Sequence, residues 1–302
     1  MLPTVRFSRP RRYLALAAGI AATALLLTGC ASQPSPAATA AEGASNSTEK
    51  AAEPTTIKSV SPATGSISGG TVTIAGTNLA GVKAVDIGGQ AAVVQKATEA
   101  QVVVTAPAAV NFQPATVAVS VTADNGKTVA SENAYSYQVQ TPVDKQMNYA
   151  LTYWKNYNSA EWGNLNPVGG DCANFVSQGL IARGWTQTAA WYNKNAAAKW
   201  SPSWGYVPAM DNYFRANAAS LGLTEYSFDQ RDKIKVGDIV MFDWNNNNSL
   251  DHVQVVSAVQ NVGGKIVIKM AGHNEDSDYR DLDEAITVDH PGGTGHFWSL
   301  SK

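Results

Sequence analysis

The sequence predicts two folded domains in series, an all-β sandwich followed by an α+β domain. Three observations predict this. Residues 54–140 are rich in Val, Thr, Ala and Gly, set in short alternating runs between turn signals. Residues 141–302 hold all eight tryptophans and all four histidines of the 302-residue chain. Within that second stretch, helical spacing comes first and strand-like runs follow, the order of an α+β domain. Roughly 160 residues is ample for an independent core.

Ahead of both domains lie Arg6, Arg9, Arg11 and Arg12 and then the apolar run LALAAGIAATALLL, residues 14–27. A short apolar run with basic residues only on its N-terminal side is a signal-peptide layout. Residues 1–29 are therefore set apart from fold reasoning. Residues 30–53, rich in Ala, Ser, Thr and Pro, lack an apolar period and read as a disordered tether. The formal charge of −2 falls further if the four arginines are removed, and no basic patch appears, so nucleic-acid binding is not expected.

In the first domain the runs TVTIAG, KAVDIG, AQVVVTAP, ATVAVSVTA and AYSYQV read as strands, separated by SGG, GTN, GGQ and DNG. Several short strands at this spacing make a sandwich. The segment contains no Cys, His or Trp. It reads as a spacer or a partner-binding module. TPVDK, residues 141–145, reads as a linker.

In the second domain the key stretch is GGDCANFVSQ, residues 169–178. Cys172, Phe175, Val176 and Leu180 fall at helical spacing, and Gly184 is placed to stop the helix. Asp171 suits the N-cap, its carboxylate accepting from first-turn amides. Cys172 is then the first helical residue, where free amides and the helix dipole favour a thiolate. The same amides, the Cys172 backbone among them, are candidate oxyanion donors. Gly169 and Gly170 would let a substrate backbone approach closely. The alternative is a buried structural cysteine.

Further on, KVGDIVMFDW, HVQVVSAV and KIVIKMAGHN read as three strands of a meander. His252 opens the second and His273 ends the third. Antiparallel pairing would bring both to one sheet edge facing the Cys172 helix. A thiolate nucleophile needs such a base, held by a third polar group. Cys172, His252 and His273 also suit a zinc site in residue type, but no short ligand spacing such as HExxH appears. The acidic run NEDSDYRDLDE, residues 274–284, lacks the pattern of a calcium loop and reads as a solvated loop. Trp185, Trp191, Trp200 and Trp204 are candidates for lining a cleft or filling the core. His290 and His296 read as structural or surface residues.

Three resemblances add to this. LTGC, ending in Cys30, resembles the bacterial lipobox, which implies lipid attachment at Cys30 and a protein anchored on the extracytoplasmic face of the cell membrane. IKSVSPATGSISGGTVTIAGTNL with VDIGG, VVVTAP and YSY resembles an IPT/TIG immunoglobulin-like domain. GGDCANFVSQ, GDIVMFDW and DHVQVV, with YALTYWKNYN upstream, resemble the putative amidase domain family of the papain-like superfamily. That resemblance implies a papain-like cysteine hydrolase with Cys172 as nucleophile and His252 as general base. It makes His273 the orienter with Asn274 in reserve, and Asn166 an oxyanion donor. No metal or other cofactor is implied. Location and family point to cell-wall peptidoglycan as partner and substrate. A non-catalytic surface adhesin and an amide acyltransferase are the rival readings.

Overall fold

The computed structural model describes residues 54–301. The signal segment 1–29, Cys30 and the whole tether at 30–53 lie outside the described residues. The first domain runs through β1 (Thr56–Ser61), β2 (Thr64–Ser66), β3 (Gly70–Thr77), β4 (Val82–Ile87), β5 (Gln90–Ala97), β6 (Gln101–Ala106), β7 (Ala115–Ala123) and β8 (Thr128–Gln138). The order is β1-β3-β6-β5-β4-β7-β8-β2, with β5 pairing to β6 on one side and β4 on the other. The expected strand runs are all present, and β1, β2 and β5 are additional. Alternate residues point inward: Val72 and Ile74 from β3, Val102 and Val104 from β6, and Val119 and Val121 from β7 are buried. That is the period of two by which a half-buried strand builds a core.

The second domain begins with α1 (Pro142–Tyr153), α2 (Ser159–Trp162) and α3 (Cys172–Arg183). The short pair β9 (Asn193–Lys194) and β10 (Lys199–Trp200) follows, then α4 (Pro202–Gly205) and α5 (Val207–Leu221). Then come β11 (Leu223–Ser227), β12 (Ile239–Asp243), β13 (His252–Val262), β14 (Lys265–Gly272), β15 (Ser277–Asp281), α6 (Leu282–Glu284) and β16 (Thr294–Leu300). The sheet is antiparallel in the order β11-β16-β12-β13-β14-β15. The expected three-strand meander is β12–β13–β14. β12 is buried on both faces, which is why its first four residues read IVMF. Ile239 and Met241 join one apolar cluster with Val253, Val255 and the α3 residues Cys172 and Val176. Val240 and Phe242 join a second cluster with Val256, Met270 and Phe297. The acidic run is not a loop throughout. It contains β15 and α6, and its carboxylates pair with Lys269, Arg231, Lys265 and Arg280.

TPVDK is not a linker. Thr141 caps α1 in a reciprocal capping box with Asp144, with Pro142 at the first helical position. Asp144 is fully buried. Its carboxylate accepts from Ser66 Oγ at 2.7 and 2.8 Å, from Ser68 Oγ, and from the amides of Gln140 and Thr141. One turn further, Asn148 Nδ2 donates to the Phe112 carbonyl at 3.0 Å. The first helix of one domain is thus bonded directly to the sandwich. Burial pushes the Asp144 carboxyl up, but its four hydrogen-bonding partners outweigh that and hold it below its ordinary value.

Asp144→Ala removes the box and leaves two serines and two amides without their acceptor. Urea unfolding should show a loss of about 2–4 kcal/mol. Asp144→Asn, which keeps the shape but not the charge, should lose less.

Candidate active site

Helix α3 is buried along its length, and its polar residues are spent on internal bonds. Asn174 Oδ1 accepts from Trp204 Nε1 at 2.7 Å. Ser177 Oγ accepts from Trp191 Nε1 at 3.2 Å and donates to the Trp204 carbonyl at 2.8 Å. Trp191 and Trp204 are therefore core residues, with ring centroids 4.7 Å apart. Buried indoles need such acceptors. Gly184 ends the helix in the left-handed conformation, as its position predicts.

The helix start departs from expectation. Asp171 is the N-cap residue, yet its side chain makes no cap bond. Its Oδ1 accepts instead from Leu165 N at 2.7 Å and Asn174 Nδ2 at 2.9 Å. Its Oδ2 bonds His273 Nδ1 at 2.6 Å. The cap comes from Asn274, whose Oδ1 accepts from the amides of Asp171 at 2.6 Å and Cys172 at 3.0 Å. Asn274 Nδ2 donates to Asn166 Oδ1. Gly170 makes room for this: a Cβ there would sit 3.2 Å from Asn274 Oδ1, and its φ of +130° suits glycine. Both candidate oxyanion groups, the Cys172 amide and Asn166, are thus joined to Asn274 in the structure. Asn274 itself adopts φ 57°, a left-handed conformation that asparagine tolerates.

His273 does not orient His252. Its Nδ1 is held by Asp171, and its Nε2 donates to the Tyr153 carbonyl at 2.9 Å, at the end of α1. The ring lies between Tyr157, stacked at 3.5 Å, and Phe175 at 4.2 Å. A carbonyl can only accept, so Nε2 carries a hydrogen, and the carboxylate and imidazole share one more between them. The pair is neutral overall whichever partner holds that proton.

His252 is paired in register with Phe242, and its ring packs on Phe242 and Trp244. Strand alternation turns Val253 towards α3 and His252 towards the other face. This is why His252 and His273 do not share an edge facing α3. Trp244 also stacks on His290, centroids 4.1 Å apart. His290, read from the sequence as peripheral, thus neighbours His252 through one indole. His296 bonds Asp211 at 2.8 Å and belongs to a separate cluster. Burial, then the charges of Arg280 and His290, depress the His252 imidazole to about 3. Its Nε2 is buried without a hydrogen-bond partner. No hydrogen bond joins His252 to Cys172 among the described residues.

Cys172 is 7% exposed and unpaired. Burial pushes its thiol up to about 11. The amides of Val253 and Ala173 point at the sulfur and oppose this, while the Asp171 charge adds to it. The thiolate expected from the helix start is therefore not the resting form, because desolvation outweighs the amides. The sulfur opens onto a cavity of about 330 Å³ bounded by Gly169, Gly170, Trp200, Tyr206 and Ser249–Asp251. Of the four tryptophans considered, Trp200 alone lines it. Its far wall is set by the asparagine-rich turn. There the Asp243 carboxylate accepts from the amides of Asn247 and Asn248, and Asn246 and Asn248 have positive φ. No three His, Cys, Asp or Glu side chains among the described residues converge as metal ligands. The ring nitrogens of His273 are already engaged, so the zinc arrangement does not form.

A raised thiol pKa gives the folded protein less thiolate at neutral pH than a free cysteine has. Iodoacetamide should label Cys172 more slowly than the urea-unfolded chain at pH 7.5. The folded rate should climb towards a midpoint near 11, against about 8.5 for the unfolded thiol. Folding also favours the protonated thiol, so this contribution to stability holds below about 8.5 and is lost as pH rises towards the folded value.

Comparison with known proteins places both domains. A family model described as IPT/TIG domain matches residues 54–138. No curated protein matches the chain. Among solved structures, the plexin A4 extracellular region (domains 1 to 8) is 23% identical over 28% of this chain and 9% of its own, with a TM-score of 0.25. This chain therefore spans less than a tenth of that protein. A putative phosphatase from Bacteroides thetaiotaomicron is 22% identical over 28% of this chain and 18% of its own, at 0.24. The Bacteroides ovatus mixed-linkage glucan utilization locus SGBP-B is 11% identical over 79% of this chain and 50% of its own, at 0.20. Likeness of this degree bears on neither fold nor function. The family model described as Putative amidase domain matches residues 140–298, just over half the chain, and the chain belongs to that family.

Proposed function

We propose that the second domain is a papain-like cysteine amidohydrolase with Cys172 as its nucleophile. The observation that carries this is the placement of the thiol. It is the first residue of a buried helix, at the floor of a cleft walled by two glycines and two loops. The amide of Val253 meets the sulfur, so the backbone of His252 adjoins it. We assign His252 as the base, a role in which its ring leaves the Phe242 and Trp244 side and turns towards the thiol on substrate entry. Its ring holds no hydrogen bond to give up before taking the thiol proton.

The resting pair is neutral. Attack therefore couples proton transfer to bond formation: the S–H proton passes to imidazole as sulfur bonds the amide carbon. The substrate carbonyl oxygen competes with Asn274 Oδ1 for the Cys172 amide, and the oxyanion it becomes on attack holds that amide more strongly. Collapse expels the amine, which receives the proton from imidazolium, and leaves a thioester for water to open. His273 and Asp171 act behind this by fixing the helix start. The occupied cap and the unpaired Cys172 and His252 favour a second reading, a non-catalytic surface protein.

Activity against peptide amides, peptidoglycan stem peptides first, separates the two. Turnover should fall at least 10³-fold in Cys172→Ala with the fold retained, and should survive a chelator. Activity that persists in Cys172→Ala would overturn the assignment.

The LTGC motif supports an exported protein anchored through lipid on Cys30, close to the cell wall. Metabolic labelling with a fatty-acid probe should mark the wild type and leave Cys30→Ala unmarked. Equal labelling would place any anchor elsewhere.

A further inference from the structure

Trp200, Tyr206, Val207, Pro208 and Leu250 give the wall over Cys172 its aromatic and aliphatic part. Asp251 is the one residue lining it with a formally charged side chain. Its Oδ2 accepts from the Trp244 amide at 2.8 Å, which fixes the carboxylate in place. Its backbone N–H is held too, by the Phe242 carbonyl at 2.7 Å. The residue is exposed, so the charge faces solvent and cleft rather than core. The other acid near the sulfur, Asp171, is spent on Leu165, Asn174 and His273 and is buried.

We propose that Asp251 selects substrates that carry an ammonium group beside the scissile amide. A fixed carboxylate at the wall of a cleft with no opposing charge concentrates cations and repels anions. The remaining wall offers apolar contact to the rest of the molecule and no second charge. Aminoacyl and peptidyl amides with a free amine fit this cleft, and acidic or amine-capped ones do not. This rests on reading the cleft as the substrate site, and deepens that reading from amides in general to amine-bearing ones.

The test uses thiol reagents as charge probes, so it needs neither a known substrate nor activity. Cys172 is modified with 2-(trimethylammonium)ethyl methanethiosulfonate and with its 2-sulfonatoethyl counterpart. Each rate is divided by the rate for free cysteine at the same pH. In the full chain the cation-to-anion ratio should exceed one by roughly tenfold, and about 0.5 M NaCl should reduce it. Asp251→Asn keeps the acceptor for Trp244 and should bring the ratio close to one. The uncharged methyl reagent should react alike with both proteins. A wild-type ratio of one, or a ratio unmoved in Asp251→Asn, overturns the proposal whatever the enzyme does. If the variant does not fold, the wild-type ratio and its salt dependence decide alone. A cation preference in a protein that hydrolyses no amide would uphold the charge selection and discard the hydrolase reading instead.

Discussion

The Asp171 carboxylate receives a backbone amide from the loop before α3, a side-chain amide from within α3, and the imidazole of His273 from the end of β14. His273 passes the connection on to the last carbonyl of α1. The end of α1, the start of α3 with its preceding loop, and the end of β14 are thus tied together through one fully buried acid and its histidine. A buried carboxylate is tolerated only when its partners are complete, and removing it would strand each of them. Cys172 is the next residue, so the position of the thiol is inherited from this node. The invariant demand on the site is therefore structural before it is chemical.

The node frees the helix terminus from its own N-cap side chain, and Asn274 takes over that duty from the turn that follows β14. The result is a quiescent thiol: desolvated, protonated, with its nearest amide already occupied. For the exported protein proposed here that has a use. Oxidation of cysteine proceeds through the thiolate, and a lone thiol outside the cell has no disulfide partner to protect it. Quiescence at rest and reactivity on substrate entry are compatible, because an incoming amide both dries the cleft and offers a carbonyl oxygen in place of the Asn274 one.

Local chemistry was legible in the sequence, and long-range chemistry was not. The β12–β13–β14 meander shows in its periods and turn residues, and α3 in its spacing and its terminal Gly184. The start of α1 was also written there: Thr141, Pro142 and Asp144 form a capping-box signature. The same residues in TPVDK look like a linker only if Pro is taken as a breaker. What Asp144 does beyond the cap depends on Ser66 and Ser68, more than 70 residues away. The partnership of His273 with Asp171 spans 102 positions. It was hidden because a histidine at a strand end looks the same whether its ring faces a cleft or a buried acid. Alternation along β13 carried the warning: Val253 and Val255 belong to the α3 side, so His252 falls opposite. The approach of His290 to His252 through Trp244 left no signal in spacing at all.

The distribution of aromatic residues has an optical consequence. The sandwich has no tryptophan; its aromatic residues between 54 and 138 are Phe112, Tyr135 and Tyr137. The second domain stacks Trp162 on Trp204 at 5.2 Å, tilts Trp204 against Trp191 at 4.7 Å and sets Trp191 edge-on to Trp185 at 5.7 Å. Rings this close exchange excitation before they emit, so the chain of indoles acts as one antenna. Trp200, half-buried at the cleft, is an indole outside that chain whose emission follows the water around it. Indole fluorescence of the intact protein is thus blind to the sandwich and responsive to the cleft, an intrinsic dye placed by the packing of the core.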